Sequence, residues 1–227
     1  GGRLGNSLLA FGNNHLIWKD EVKGEPHRLD LRGGKIQLRR DGEEWQLASH
    51  DVTFKLDGAT WLQSRLQLER VGSRIQGYVP AIDLDQGANL SQLVSGLYPE
   101  LTKTLKHAQP KGKLQELVLQ ADGDWQGLSL SGQLRGFETK AWHDVPGLQK
   151  LDGDFWLTPA GGSARLTLGK GKVDPARHFK VPIPVDNLFA RLDWWRETQG
   201  WVLYGQDIAL DNEDLSLASR FRLELFE

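Results

Sequence analysis

Cysteine is absent from the 227 residues. No disulfide, thiol nucleophile or thiolate metal site is therefore available. Methionine is absent as well, and the last residues, Arg222-Leu223-Glu224-Leu225-Phe226-Glu227, fall inside a strand-like alternation. Both features read as a segment of a longer protein. An excess of charge of one sign is missing too: Lys and Arg number 28, Asp and Glu 30, for a formal net charge of −2. A nucleic-acid binder carries a strongly basic balance, so nucleic acid is not an expected partner. No apolar run reaches the ~18 residues of a spanning helix. No signal peptide stands at the start, although a segment would leave an N-terminal anchor behind. β-Branched aliphatic residues are scarce, with 17 Ile plus Val against 37 Leu. Sheets normally favour β-branched and aromatic side chains over Leu, so the bias asks for a reason.

What is present is period-two alternation. Ile36 and Leu38 alternate with polar neighbours, as do Val52, Phe54 and Leu56, then Leu62, Leu66 and Leu68, then Ile75, Gly77 and Val79. The pattern returns at Leu128, Leu130 and Leu134, at Leu151, Phe155 and Leu157, at Ala164, Leu166 and Leu168, and at Leu188, Leu192 and Trp194. It closes with Leu215, Leu217, Phe221, Leu223 and Leu225. Successive side chains of a strand point to opposite faces, so each run has one apolar face and one polar face. Turn signals separate the runs at Gly33-Gly34, Asp41-Gly42, Asp57-Gly58, Gly161-Gly162 and Gln199-Gly200, residues that tolerate positive φ in hairpins. Short connections imply antiparallel neighbours. The reading is mostly β, with about fourteen strands by this count of alternating runs.

One stretch breaks the alternation. Between Asn89 and His107, Leu90, Leu93, Leu97, Leu101 and Leu105 recur at helical spacing. Pro99 lies inside, which predicts one kinked or split helix near residues 89–107. The expected organisation is a single β-groove segment: N-terminal strands over 1–88, the helix over 89–107 and C-terminal strands over 113–227.

Chemistry is hard to find. His15, His27, His50, His107, His143 and His178 show no metal-ligand spacing. There is no G-x-S-x-G elbow and no Walker A loop. Gly169-Lys170-Gly171-Lys172 lacks the helix start that a phosphate cradle needs, and reads as a turn. Asp211, Asn212, Glu213 and Asp214 lack calcium-loop spacing and its glycine, and read as a solvated turn. No enzyme, cofactor or metal is expected. Nine tryptophans permit sugar platforms, but large core or edge residues are the simpler reading.

A Leu-rich face over about fourteen strands would extend ~70 Å, more than the ~28 Å of a nineteen-residue helix can cover. The sheet must close on itself as a sandwich or barrel, or curl into a trough with an apolar floor. Flexible Leu suits an alkyl chain, with about 0.8 kcal/mol for each buried methylene. Alternation assigns the groove lining to Ile36, Leu38, Val52, Phe54, Leu66, Leu68, Ile75, Leu128, Leu130, Leu134, Phe155, Leu157, Leu166, Leu168, Leu188, Leu192, Trp194, Leu215, Leu217, Phe221 and Leu223. A carbohydrate-binding β-sandwich and a purely structural envelope spacer are the competing readings.

Four stretches carry a resemblance. They are the leucine-striped helix with Gln109-Pro110-Lys111-Gly112-Lys113-Leu114, Val145-Pro146-Gly147-Leu148 leading into Leu151-Asp152-Gly153-Asp154, Phe179-Lys180-Val181-Pro182-Ile183-Pro184, and Leu192-Asp193-Trp194-Trp195 followed by Gly200-Trp201-Val202-Leu203 and Ile208-Ala209-Leu210-Asp211-Asn212. In these the chain resembles the AsmA-like proteins of Gram-negative bacteria, in particular the YhdP branch, over roughly residues 89–225. The resemblance implies a long curled antiparallel sheet with an apolar groove. It also implies periplasmic localisation as part of an inner-membrane-anchored protein, and a role in moving phospholipid between inner and outer membrane. The partners implied are phospholipid acyl chains, with both membranes reached through parts outside this segment. It supplies no catalytic residues.

Overall fold

The computed structural model describes residues 5–19, 26–63, 65–86, 105, 107–122, 127–142, 147–174 and 181–226. They form sixteen strands: β1 (Ser7–Phe11), β2 (Asn14–Lys19), β3 (Pro26–Arg32), β4 (Gly34–Asp41), β5 (Glu44–His50), β6 (Thr53–Leu56), β7 (Ala59–Gln63), β8 (Gln67–Val71), β9 (Arg74–Asp83), β10 (Lys111–Asp122), β11 (Ser129–Thr139), β12 (Gly147–Thr158), β13 (Gly161–Asp174), β14 (Ile183–Glu197), β15 (Gly200–Asp211) and β16 (Ser216–Phe226). Twelve of them make one sheet in the order β1-β4-β5-β8-β9-β10-β11-β12-β13-β14-β15-β16, and β2-β3-β6-β7 make a second. All the pairings are antiparallel, from β1 with β4 to β15 with β16. From β8 onward each strand pairs with the next in sequence, an antiparallel meander.

The mostly-β reading and the antiparallel order hold, but the alternation hid a division. The chain leaves the long sheet twice, and each excursion is a hairpin: β2-β3, then β6-β7. The two hairpins join through β3 and β6. The Gly33-Gly34 pair is not a hairpin. It carries the chain from β3 in the small sheet to β4 in the long one, with φ of 31° and 157°. The run expected over Leu62–Leu68 is likewise two strands of different sheets, β7 and β8. Asp41-Gly42 and Asp57-Gly58 do close hairpins. Gly161-Gly162 is not the turn expected. It opens β13, and the turn falls at Pro159-Ala160. Gly169-Lys170-Gly171-Lys172 lies within β13 instead of in a turn, with Lys170 at φ 39°.

The long sheet is interrupted by bulges. Register shifts occur between Gln115 and Val118, Leu134 and Phe137, Leu148 and Leu151, Phe189 and Arg191, and Gly205 and Ile208. Glu116, Gly136, Lys150 and Asp207 take positive φ at these places. A bulge bends its strand and adds right-handed twist.

Leu90, Leu93, Leu97 and Leu101 lie outside the described residues. Of the expected stripe only Leu105 is described. It is helical, as are His107 and Ala108, and the Gln109 amide donates to the Leu105 carbonyl at 3.0 Å.

In the small sheet, His27 is buried. Its Nδ1 lies 2.9 Å from Asp57 Oδ2, while the Arg28 amide donates to Asp57 Oδ1 at 2.8 Å. Partial burial pushes the Asp57 carboxyl up, but the His27 hydrogen bond, the Arg28 amide and the His27 charge outweigh it, and its pKa sits below the ordinary 3.8.

Candidate functional site

Directly paired residues of antiparallel strands share a face, as do residues two apart along one strand. From edge to edge of the long sheet, Ser7, Leu38, Leu47, Leu68, Gly77, Leu119, Leu130, Leu157, Gly162, Trp194, Leu203 and Leu223 stand opposite one another in turn. The twelve strands thus carry one unbroken row of eight leucines, a tryptophan, two glycines and a serine. At ~4.8 Å per strand the row extends about 53 Å. The adjacent row holds Leu9, Ile36 and Ser49 at one end, and Gly132, Phe155, Ala164, Leu192, Gly205 and Phe221 at the other.

Glycines in these rows are occupied by their neighbours. A Cβ on Gly162 would stand 2.6 Å from Trp194 Cζ2, and one on Gly205 would stand 2.5 Å from Phe221 Cε1. The rings therefore lie over glycine positions within the sheet. Aromatic side chains covering glycines are a recurrent way of pinning register. Here they also lower the relief of the face.

β7 of the small sheet packs against β9, and from β10 to β16 no described element lies across this face. The substantial contacts of β10 to β16 are with sheet neighbours, apart from the 3-10 turn Leu84–Gln86 against β10. Among the described residues eleven hydrophobic side chains are buried, four of them alanines, and the core cluster is Leu151, Leu168 and Val185. A compact monomer of this 25.5 kDa mass exposes roughly 10,400 Å², whereas the chain exposes 15092 Å². A two-layer sandwich buries more large side chains and exposes less surface.

The sequence-assigned lining distributes as follows. Leu38, Leu68, Leu130, Leu157, Trp194 and Leu223 stand on the row, and Ile36, Phe155, Leu192 and Phe221 on the adjacent one. Leu134 and Leu166 both pair with Gly153, while Leu168, Leu188 and Leu217 lie in one row through Leu210. Leu66, Ile75, Leu128 and Leu215 share the face by spacing of two. Val52 and Phe54 do not belong. Phe54 is on the small sheet, and Val52, 0% exposed, is packed where the chain leaves the long sheet, against Gly34. Alternation cannot say which sheet a strand joins. Leu47, Leu119 and Leu203 were missed, although each is in phase with an apolar neighbour two residues away.

The opposite face is polar, with Gln133, Asp154, Arg165, Arg191 and Gln206 in one row. A cavity of about 570 Å³ there involves Trp156, Ser163 and Asp193. Trp156 is 48% exposed. Trp195, on the same face, has the Arg222 guanidinium 5.6 Å from its ring centroid. His107 stacks on Trp142 at 4.7 Å. Asn212 organises the acidic turn, its Oδ1 accepting from the Asp214 and Leu215 amides. Among the described residues no group of three or more His, Cys, Asp or Glu could hold a metal ion, and no helix is long and apolar enough to cross a membrane.

A twelve-stranded antiparallel sheet whose apolar face is uncovered by any described element from β10 to β16 defines a protein of the extended-sheet class. The family described as YhdP protein matches residues 1–227, and the chain belongs to it. It is 20% identical over 220 residues to the intermembrane phospholipid transporter YhdP of Escherichia coli (strain K12). The aligned region covers 87% of this chain and 17% of that protein, so the chain spans about a sixth of its relative's length. No solved structure matches.

Proposed function

We propose that this chain forms one stretch of a phospholipid path between the inner and outer membranes of a Gram-negative envelope. It lies in the periplasm as part of an inner-membrane-anchored protein. The apolar face is the floor of a groove in which acyl chains lie, and transport along it needs no catalysis. The observation that carries this reading is the unbroken row from Leu38 to Leu223. Support also comes from Leu151 and Leu168, only 3% and 2% exposed although the cluster around them is drawn from the sheet's own strands. Burial by same-face neighbours is what the inner side of a coiled sheet provides. The relative's name, a phospholipid transporter, agrees.

A saccharide reading rests on Trp156 beside its polar cavity. It needs several platforms, and Arg222 already covers Trp195. A sealed spacer needs a second layer, which the described elements do not supply over β10 to β16. The lipid reading is tested by placing a photo-crosslinking residue at Leu130 or Leu203, and at Ser131 or Tyr204 on the other face. Lipid adducts are expected at the first pair only. Equal yields on both faces, or none at Leu130 and Leu203, refute the groove.

A further inference from the structure

One step from the apolar row toward the hairpin turns, the same face carries Arg40, Trp45, Arg70, Ile75 and Ala121 in direct register. Farther along the sheet this outer row holds Arg196 opposite Trp201 and Trp201 opposite Leu225. Arg196 Cζ lies 6.0 Å from the Trp201 ring centroid. The charges of this row are all arginines, and each arginine is directly opposite a tryptophan. No charged residue stands on the apolar row beside it. Carboxylates near these turns occupy the opposite face by alternation: Glu69 pairs with Gln46, and Glu224 with Val202. The ion pairs of Arg222 with Glu197 and Glu224 form there.

Arg40 and Arg70 stand beside an apolar floor, although an arginine stem can equally well cover apolar surface from the polar side. The side chains of Arg40 and Arg70 keep donors for a ligand. Arg40 Nε donates to the Gly42 carbonyl at 3.0 Å, and Arg70 Nε donates to the Gly72 carbonyl at 3.1 Å. Each bond ties a side chain to its own turn and leaves the four Nη hydrogens of the guanidinium. Among the described residues neither guanidinium forms an ion pair. Their strands flank β5, so their backbones are about 9.6 Å apart with Trp45 between. Two guanidinium groups in register on either side of an indole offer a tetrahedral oxyanion the paired N–H donors through which arginine binds it. The apolar row begins two residues inward, about 7 Å away along the strands.

We propose that Arg40, Trp45 and Arg70 seat the phosphate of a lipid head group whose tails lie on Leu38, Leu47 and Leu68. The proposal rests on the reading of the apolar face as a lipid bed and adds to it a fixed place for the head. The seat sets the orientation of the lipid: head at the hairpin edge, tails across the strands.

Three probes separate the sources of the phosphate. They are dihexanoyl phosphatidylglycerol, dihexanoylglycerol with the same tails and no phosphate, and inorganic phosphate. Each is titrated by calorimetry and native mass spectrometry against the 227-residue chain and its R40Q/R70Q variant. The wild type is expected to bind the phospholipid about tenfold tighter than the diacylglycerol. The variant is expected to bind both alike, at the wild-type diacylglycerol affinity. If the variant melts lower, a salt titration of the wild type takes its place: the preference falls with ionic strength and the diacylglycerol affinity does not. A wild type without preference, or a preference that survives in a folded R40Q/R70Q, overturns the seat and leaves the lipid bed standing. Inorganic phosphate binding as tightly as the phospholipid shows a free-anion site and overturns the head-group assignment. Failure to bind either amphiphile refutes the lipid bed itself.

Discussion

Two leucines of the same face separate folding from transport. Leu168 is 2% exposed within the small core cluster, and Leu223 is 46% exposed on the edge strand β16. Replacing Leu168 with Ala removes packed methylenes and leaves a cavity, at a cost of about 2–5 kcal/mol. For a chain of this size that lowers the melting temperature by roughly 5–15 °C. Replacing Leu223 with Asp removes little packing, because nearly half of the side chain already meets water. The folding cost is about 0.5 kcal/mol, too small to move the melting temperature beyond about 2 °C. For a lipid tail the order reverses. A carboxylate at 223 denies the chain roughly three methylene contacts at about 0.8 kcal/mol each, equivalent to about fifty-fold in retention. The assay pairs thermal unfolding of L168A and L223D with mass-spectrometric measurement of phospholipid retained by each purified protein. If L223D melts as low as L168A, the face is a sealed core. If L223D stays folded and retains lipid at the wild-type level, the tails do not lie on this row.

Two further outcomes follow from particular contacts. G205A should destabilise by about 1–3 kcal/mol through overpacking against Phe221, and F221A in the same background should cost less than the two changes summed; additivity in a double-mutant cycle would disprove the interlock. The depressed Asp57 carboxyl contributes stability above its unfolded value near 3.8 and loses it as pH falls through the lower folded value. The stability gap between wild type and D57N, measured from about pH 6 to about pH 2.5, should therefore close on the acid side. A constant gap would show that the His27 and Arg28 bonds do not bias the carboxyl.

Much of the fold was legible because a strand's pleat is local. Leu166 and Leu168, or Leu188, Leu192 and Trp194, declare a common face through spacing alone. The bulges were not legible. Glu116, Lys150, Lys170 and Asp207 take positive φ without being glycine, so no residue type announces them, and Phe137 changes phase behind Gly136. Nor did the alternation reveal that β2-β3 and β6-β7 pair with each other instead of with the strands around them, since both hairpins look like the rest. Gly33-Gly34 shows the limit: a glycine pair marks a change of direction, and the partner waiting on the far side decides whether a hairpin results.

By itself the sequence determined that this chain is antiparallel sheet with one Leu-rich face, and that it belongs among proteins of one family, because side-chain parity and short motifs are written residue by residue. Only the tertiary structure decided that those faces join into a single row from β4 to β16, that Val52 and Phe54 stand outside it, and that Arg40, Trp45 and Arg70 stand in register beside it. Cross-strand neighbours are set by register, and register is a property of pairs of strands, fixed by turns, bulges and glycine-for-ring exchanges between segments far apart in the chain.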